Sequence, residues 1–493
     1  MATHASSAIS IVLLSGFAYL LGRAIYNVFF HPLRKFPGPK TMAWGRLPWT
    51  ATVLGGKPYQ KLLDLHDKYG PIVRIADNEL SIIHPDAWKD VYGHRKGGGL
   101  ENTKDPFVIM GNEHNLLGAN IEDHSRFRRV LSHGFSMQAI AEQQPRISTH
   151  IDLLFQRLHE QCDQGKTPMD LVTWYNRVTF DVISDMTWGE PLGSLEKSQD
   201  HPWIHAMEVS TKGLNFIGQT KRFPAPLTPI FEKLIPKEVK RLTRDNFMYA
   251  AINVEKRIEL GESRPDFMEA MLRQKGERAI SKEEQVANAF IIMLGGSETS
   301  STALAAAVYY LLKSPEAFSK LTAEILSAFQ TESDINVHNI QNLPYLTAVM
   351  EETLRVHPPL PNSSPRLVHE GGRVICGEFI PEGTGVSIPH WAMYHSTENF
   401  SLPHSFIPER WLGDPRFDND RREARKPFAI GPRNCIGMNL ATTEIRIILA
   451  RTIWNFEMRL AEDSKNWGES QKAFVLWEKP ALNVYMTPRN LPR

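Results

Sequence analysis

Cysteine is scarce: three residues in 493, Cys162, Cys376 and Cys435, widely separated and odd in number. They cannot build a disulfide framework, and no Cys-x-x-Cys pair offers zinc or dithiol redox chemistry. A reducing compartment is therefore expected for the catalytic part. An excess of either charge is also missing, with 56 Lys and Arg against 55 Asp and Glu. Without a basic footprint, DNA and RNA are excluded as partners. No low-complexity block, internal repeat or surplus of proline and glycine points to disorder or a repeat array. No Gly-rich dinucleotide fingerprint follows a strand, so the chain carries no nucleotide-cofactor module of its own.

Apolar length is present at the N-terminus. Residues 8–22 carry no charge, and the apolar character resumes after Arg23 through Ile25, Val28, Phe29 and Phe30. A helix rises about 1.5 Å per residue and needs about 20 residues to cross the hydrocarbon, with Arg23 snorkelling near its end. No Lys or Arg precedes the run, whereas Arg23, Arg34, Lys35 and Lys40 follow it. The positive-inside rule then puts the N-terminus in the lumen and the rest in the cytosol. A cleaved signal peptide would have a basic leading region and a small-x-small cleavage site, and neither is there. Residues 1–30 are read as a single-pass membrane anchor, residues 31–40 as a stiff proline-rich hinge, and residues 41–493 as one catalytic domain.

Helical patterns dominate that domain. A capping box, Ser281 to Glu284, opens a stretch that runs to Ser314 before Pro315. At roughly 30 residues it would span about 45 Å and cross the whole domain. A second helix ends at Val356, before His357-Pro358-Pro359. Strand signals come late: residues 373–379 and 384–388 flank the turn Pro381-Glu382-Gly383, and residues 482–486 read as a last strand. The fold class expected is mainly α with small β-sheets (α+β).

One cysteine has informative company, in Phe428-Ala429-Ile430-Gly431-Pro432-Arg433-Asn434-Cys435-Ile436-Gly437. The apolar residues after it, Leu440, Ala441, Ile445, Ile448 and Leu449, recur at helical spacing. Cys435 is thus expected at a helix N-terminus, where the dipole lowers a thiol pKa. Gly431 and Gly437 permit positive φ and close backbone approach, turning amides toward the sulfur, and Phe428 shields it from water. A buried structural cysteine accounts for Cys435 alone and leaves its four companions unexplained.

The segment matches Phe-x-x-Gly-x-Arg-x-Cys-x-Gly at all five fixed positions and resembles the haem-ligand loop of the cytochrome P-450 superfamily. FHPLRKFPGPK, GEFIPEGT and PFAIGPRNCIGMNLA resemble fungal microsomal members related to isotrichodermin C-15 hydroxylase. The resemblance implies the cytochrome P-450 fold: a single haem-binding domain behind an N-terminal transmembrane helix. It implies haem b (iron protoporphyrin IX) as cofactor and Cys435 as the thiolate axial ligand of the haem iron, a ligand that favours O–O cleavage.

The same resemblance extends to other residues. Gly295-Gly296-Ser297-Glu298-Thr299 is similar to the family's dioxygen site: the Thr299 hydroxyl bonds back to a carbonyl four residues earlier and opens the helix, and Thr299 and Glu298 relay protons. A Gly-Gly pair also serves plain close packing. Glu352 and Arg355, with Pro408-Glu409-Arg410-Trp411, resemble the elements of a buried structural triad, Glu352, Arg355 and Arg410, although Trp411 replaces the usual Phe. Glu238/Arg241 and Glu370/Arg373 repeat the spacing without that context. Cations for the haem carboxylates are expected from Arg433, Arg366, His124 and Arg128, His124 standing where many members have Trp.

Electrons are then expected from outside, from a membrane-bound NADPH-cytochrome P-450 reductase, with cytochrome b5 as a second donor. Arg421, Arg422, Arg425 and Lys426 are the expected docking cations, although a solvated charge run explains them equally. Substrate-facing segments, by resemblance, are residues 99–120, Ala289, Ile292, residues 360–364 and Phe474-Val475-Leu476. Most are apolar or small, which favours a lipophilic small molecule such as a terpenoid or polyketide. The implied activity is NADPH- and dioxygen-dependent hydroxylation or epoxidation at the endoplasmic reticulum membrane. Two other classes stay open: a reductase-independent haem-thiolate isomerase or dehydratase, which is not expected to keep a Glu298-Thr299 pair, and a non-enzymatic membrane scaffold, which needs no ligand loop.

Overall fold

Two apolar cores lie within the chain, one helical and one built on a sheet, in a computed structural model that describes residues 2–95, 99–109, 113–223, 233, 235–261 and 264–491. The helical core forms around Lys282–Lys313, against which Leu171–Trp188, Pro344–Val356 and Met438–Asn455 pack. The expected capping box closes at its start: Ser281 Oγ accepts from the Glu284 amide, and the Ser281 amide donates to Glu284 Oε2 at 2.8 Å. The helix runs 32 residues, about 48 Å. By length and composition it could cross a membrane, but 72% of its most apolar window is buried in the protein, which makes it the axis of the core.

The second core is built on a five-stranded sheet, ordered Ile72–Ala76, Glu79–Ile82, Gly385–Ser387, Arg366–Leu367, Thr103–Lys104. The last two strands are antiparallel, with Lys104 directly opposite Arg366. The expected strand over residues 373–379 is instead a hairpin, Arg373–Ile375 against Glu378–Ile380. Its turn falls on Cys376 and Gly377, both at positive φ, and the expected turn at Pro381-Gly383 follows, leading into the Gly385–Ser387 strand. Cysteine rarely adopts that conformation, so the sequence gives no warning of it. The last strand, Asn483–Pro488, pairs with Phe456–Leu460 and Met169–Asp170.

Ala2–Phe29 is one helix of 28 residues, about 42 Å long. Ile11, Leu14, Phe17 and Leu20 are each more than half exposed. The end of the helix is docked: Arg23 pairs with Asp77 at 3.0 Å, Asn27 Nδ2 donates to Trp44 O at 3.1 Å, and Asn27 O accepts from Arg74 Nη1 at 2.8 Å. Residues 31–40 also pack on the domain. Leu33 and Phe36 are buried, and the Arg74 amide donates to Pro37 O at 2.8 Å.

Candidate functional site

The Phe428–Gly437 segment bridges the two cores. Phe428 and Ile436 pack on the helical one, Ala429 and Ile430 on the sheet one. The Cys435 amide donates to Phe428 O at 2.9 Å and closes the loop. Gly431 has φ of 82°, and a Cβ there would lie 1.9 Å from Tyr92 O, so backbone conformation and contact both demand glycine. Gly437 departs from expectation. Its φ is −84°, and a Cβ added to it would meet nothing within 4 Å. What this glycine keeps is open space, while the second left-handed residue of the loop is Ala429, at φ 55°.

Cys435 is exposed, yet burial raises its thiol pKa against the lowering pull of a Gly437 backbone hydrogen bond and of Arg128. The thiol is accessible yet closely surrounded by protein. Cys435 lies just ahead of the Met438–Asn455 helix, as expected, and around its thiol desolvation opposes the favourable partial charges there.

Basic groups converge from several elements. On the Ile121–Leu131 helix, His124 is buried, whereas Arg128 turns to Asn434, with one nitrogen on its carbonyl and another 2.6 Å from its Oδ1. Arg128 thus braces the residue before Cys435. Arg433 donates to Ala119 O at 2.9 Å and pairs with Glu101 at 3.3 Å. Arg366 is buried against the Tyr92 ring at 5.1 Å, and its Nη1 has no partner among the described residues. Lys104, which sequence reasoning missed, joins them through its strand pairing with Arg366.

Burial and then the charges of Arg366 and Arg433 push Lys104 well below the ordinary lysine range. Burial, followed by Arg433, Lys104, Arg128 and Arg366, lowers His124 to about 3. Among the described residues, Glu101 is the carboxylate that counters Arg366 and Arg433. Basic groups outnumber acids in this neighbourhood.

In the long helix the Thr299 hydroxyl donates to Gly295 O at 2.7 Å, as expected, although the helix continues through it unbroken. The two glycines divide the two readings between them. A Cβ on Gly296 would lie 2.6 Å from Ile183 Cδ1, so it is a packing glycine, whereas Gly295 borders open space. Glu298 is not free: Lys479 Nζ donates to its Oε2 at 2.5 Å and to Thr302 Oγ1 at 3.0 Å, while Glu298 Oε1 is buried without a partner among the described residues.

The expected substrate-facing wall is more polar than its sequence suggests. Lys212 Nζ stands 5.9 Å from the Phe474 ring and pairs with Glu478. One turn earlier on Pro202–Thr220, Glu208 is an exposed residue whose carboxyl is nonetheless crowded by protein. Burial and the nearby Glu298 charge push its carboxyl up to about 7. Within the 99–120 segment, residues 110–112 lie outside the described residues.

Glu352, Arg355 and Arg410 come together fully buried. Arg355 donates to both Glu352 oxygens, at 2.9 and 2.7 Å, and to Tyr394, Pro403 and Ser405 carbonyls. Burial raises the Glu352 carboxyl, but Arg355 and Arg410 outweigh it and hold it below the usual range. Asp420, absent from the sequence reading, pairs with Arg410 and makes the cluster neutral. Trp411 shows what the departure from Phe adds, an indole N–H donated to Glu352 Oε2 at 2.9 Å.

Beside the cysteine loop lies a concavity of about 510 Å³, lined in part by Lys426, Phe428, Met438 and Arg446. Arg425 also borders it, but its side chain is 8% exposed, held by Glu351 and stacked 5.0 Å over Trp411. Arg425 is committed to the interior.

A helical core and a small-sheet core meet at a glycine-framed cysteine, the arrangement that the resemblance to a haem-binding family implies. Comparison with known proteins agrees: residues 36–484 match the family described as cytochrome P-450, and the chain belongs to that family. It is 45% identical over 478 residues to the trichothecene C-15 hydroxylase of Fusarium sporotrichioides, covering 96% of this chain and 97% of that one. It is 38% identical to the cytochrome P-450 monooxygenase astJ of Aspergillus oryzae, covering 97% and 96%. It is also 38% identical to the averantin hydroxylase of Dothistroma septosporum, covering 96% and 90%. The protein is a cytochrome P-450 monooxygenase of the fungal type.

Family membership implies a haem, and the residues here suit one. Arg366 Nη1 is buried without an acceptor among the described residues, the basic groups exceed the acids around them, and the space beside Gly437 is unfilled by protein. A flat group bearing two carboxylates answers all three.

Proposed function

We propose that this monooxygenase oxidises a lipophilic secondary metabolite, a terpenoid or polyketide, using electrons from an NADPH-dependent flavoprotein reductase. The observation that carries the reading is an exposed Cys435 in a glycine-shaped loop, in a neighbourhood where basic groups outnumber acids. The names of the trichothecene C-15 and averantin hydroxylases support the substrate class. A haem b bound at Cys435 supplies activation of dioxygen and transfer of one of its atoms to the substrate.

The chain's own residues do the rest. Cys435 holds the iron through its sulfur, with Phe428 shielding it, Gly431 shaping the loop, Gly437 leaving room for the ring and Arg128 bracing Asn434. Arg366, Arg433, Lys104 and His124 receive the two carboxylates. Hydrogen-bond donors converging on a carboxylate would fix orientation as well as affinity. Thr299 and Glu298 pass protons into the cavity, and an intact pair supports oxygen insertion over a reductase-independent rearrangement. Glu352, Arg355 and Arg410 set the register of the cysteine loop.

Residues 1–30 anchor the chain in the endoplasmic reticulum membrane, residues 31–40 connect, and residues 41–493 form the cytosolic catalytic domain. The exposed apolar side chains of the first helix support that division. The concavity bordered by Lys426 and Arg446 suits the acidic face of a reductase, or of cytochrome b5 as second donor.

Co-expression with a reductase and untargeted profiling of products tests the reading. NADPH-dependent products heavier by one oxygen, absent with Cys435→Ser, are expected. Products of unchanged mass made without reductase would mark a rearranging enzyme instead.

A further inference from the structure

Glu298 is joined to a residue 181 positions away. Lys479 and Glu298 have side chains only 3% and 6% exposed, and a buried ion pair is a costly way to add stability. Hydrogen bonding distinguishes the two oxygens of the carboxylate. Oε2 accepts from Lys479 Nζ; Oε1 is buried and has no donor among the described residues. A buried carboxylate oxygen without a partner calls for a water or a proton carrier.

We propose that Lys479 is a positioning residue for Glu298: it tethers Oε2 and thereby leaves Oε1 as the atom that hands protons on. The proposal rests on the reading that Glu298 and Thr299 form the proton relay.

The tether is itself held rigidly. Trp477, two residues before it, donates its indole N–H to Pro358 O at 2.8 Å, and Trp467 donates to Pro480 O, one residue after it, at 2.8 Å. Thr302 Oγ1 donates to Glu298 O at 2.7 Å, so its lone pair is left to accept from Lys479 Nζ. The surroundings have gaps of a kind that water fills. The His357 and Gln471 side chains are buried beside one another, leaving hydrogen-bonding capacity that water can complete, and His357 stacks on Trp477 at 4.6 Å. Glu208 lies close enough to Glu298 and Lys479 to feel both charges. A carboxyl pushed up to about 7 is a group able to hold and release a proton near neutrality.

A purely structural tie between the long helix and the C-terminal segment predicts the same contacts, so the test reads proton delivery. Haem-loaded full-length chain is mixed with reductase, NADPH and dioxygen and no organic substrate. Electrons then leave either as hydrogen peroxide, one NADPH per dioxygen with one proton from solvent, or as water, two NADPH per dioxygen. With the ferrous-carbonyl band intact, Lys479→Met is expected to raise peroxide per NADPH severalfold toward one, and Lys479→Arg to stay near the unmodified chain. In infrared spectra, Lys479→Met is expected to gain a protonated-carboxyl band that Lys479→Met/Glu298→Gln lacks.

Unchanged peroxide yield and an unchanged carboxyl region in Lys479→Met overturn the proposal, as does Lys479→Arg behaving like Lys479→Met. If Lys479→Met does not take up haem, Lys479→Gln decides, since it removes the ion pair to Glu298 Oε2 and keeps a polar side chain in its place. A raised peroxide yield then supports the tether and an unchanged one overturns it. A ferrous-carbonyl band missing from the unmodified chain would instead sink the haem-thiolate reading beneath it.

Discussion

Glu352, Arg355, Arg410 and Asp420 on one side, and Lys104, His124, Arg128, Arg366 and Arg433 on the other, are two groups of charge withdrawn from water on different terms. In the first, two acids and two arginines cancel. Arg355 is saturated with acceptors, and Glu352 collects donors from Arg355, Arg410, Trp411 and the Ile407 amide. In the second, Glu101 counters Arg366 and Arg433 alone, Arg366 keeps a nitrogen unpartnered among the described residues, and His124 is driven to about 3. Charge balanced within the chain holds shape, whereas charge left unbalanced in the interior is completed by a ligand.

Several measurements would break or sharpen that contrast. The largest effect is expected from Cys435→Ser, which removes the sulfur around which the second group is arranged: the ferrous-carbonyl band and oxygen insertion both disappear. Arg410→Met strips Asp420 of its partner, and breaking a buried pair costs about 3–5 kcal/mol, read by denaturant unfolding. Arg366→Met acts in opposite directions on two states. The haem-free protein gains on the order of 1 kcal/mol as like charges are thinned, while haem retention, followed by transfer to a haem acceptor, falls about tenfold. If both states lost stability together, the two groups would not differ in kind.

A smaller effect follows from His124. Its folded value, about 3, lies below the roughly 6.5 of an unfolded histidine. The depressed value is that of a base, so the unfolded chain takes up the proton first. Stability from the neutral ring is fully present above pH 6.5 and is lost as pH falls from there toward 3. Thermal unfolding of the haem-free protein across that window is expected to steepen with acid, and His124→Phe to flatten it. The smallest effect concerns the outer face: Lys426→Glu with Arg446→Glu lowers reductase-driven turnover a fewfold and leaves peroxide-driven turnover as it was.

What could be read from the sequence was whatever announces itself locally. The capping box at Ser281, the glycines and cysteine of the loop, and the i, i+3 pair Glu352/Arg355 carry their own spacing, and each appears where that spacing puts it. Lys104, Asp420 and Lys479 carry none. Each matters because of a partner brought to it by the fold, Arg366 across a sheet, Arg410 within a cluster, Glu298 across the core. Gly437 was legible in identity but not in reason, since its φ is ordinary and only the emptiness beside it explains why a side chain is unwelcome. The turn at Cys376 was hidden because a residue that avoids left-handed backbone occupies it.

The bonds at the end of the first helix bear on how this protein is shortened for solution work. Arg74 is 2% exposed, and one of its nitrogens depends on Asn27 O. Deletion through residue 30 would leave that guanidinium facing a void and Asp77 without Arg23, loosening the edge of the sheet. A cut made ahead of Arg23 discards the greasy part and keeps the clasp.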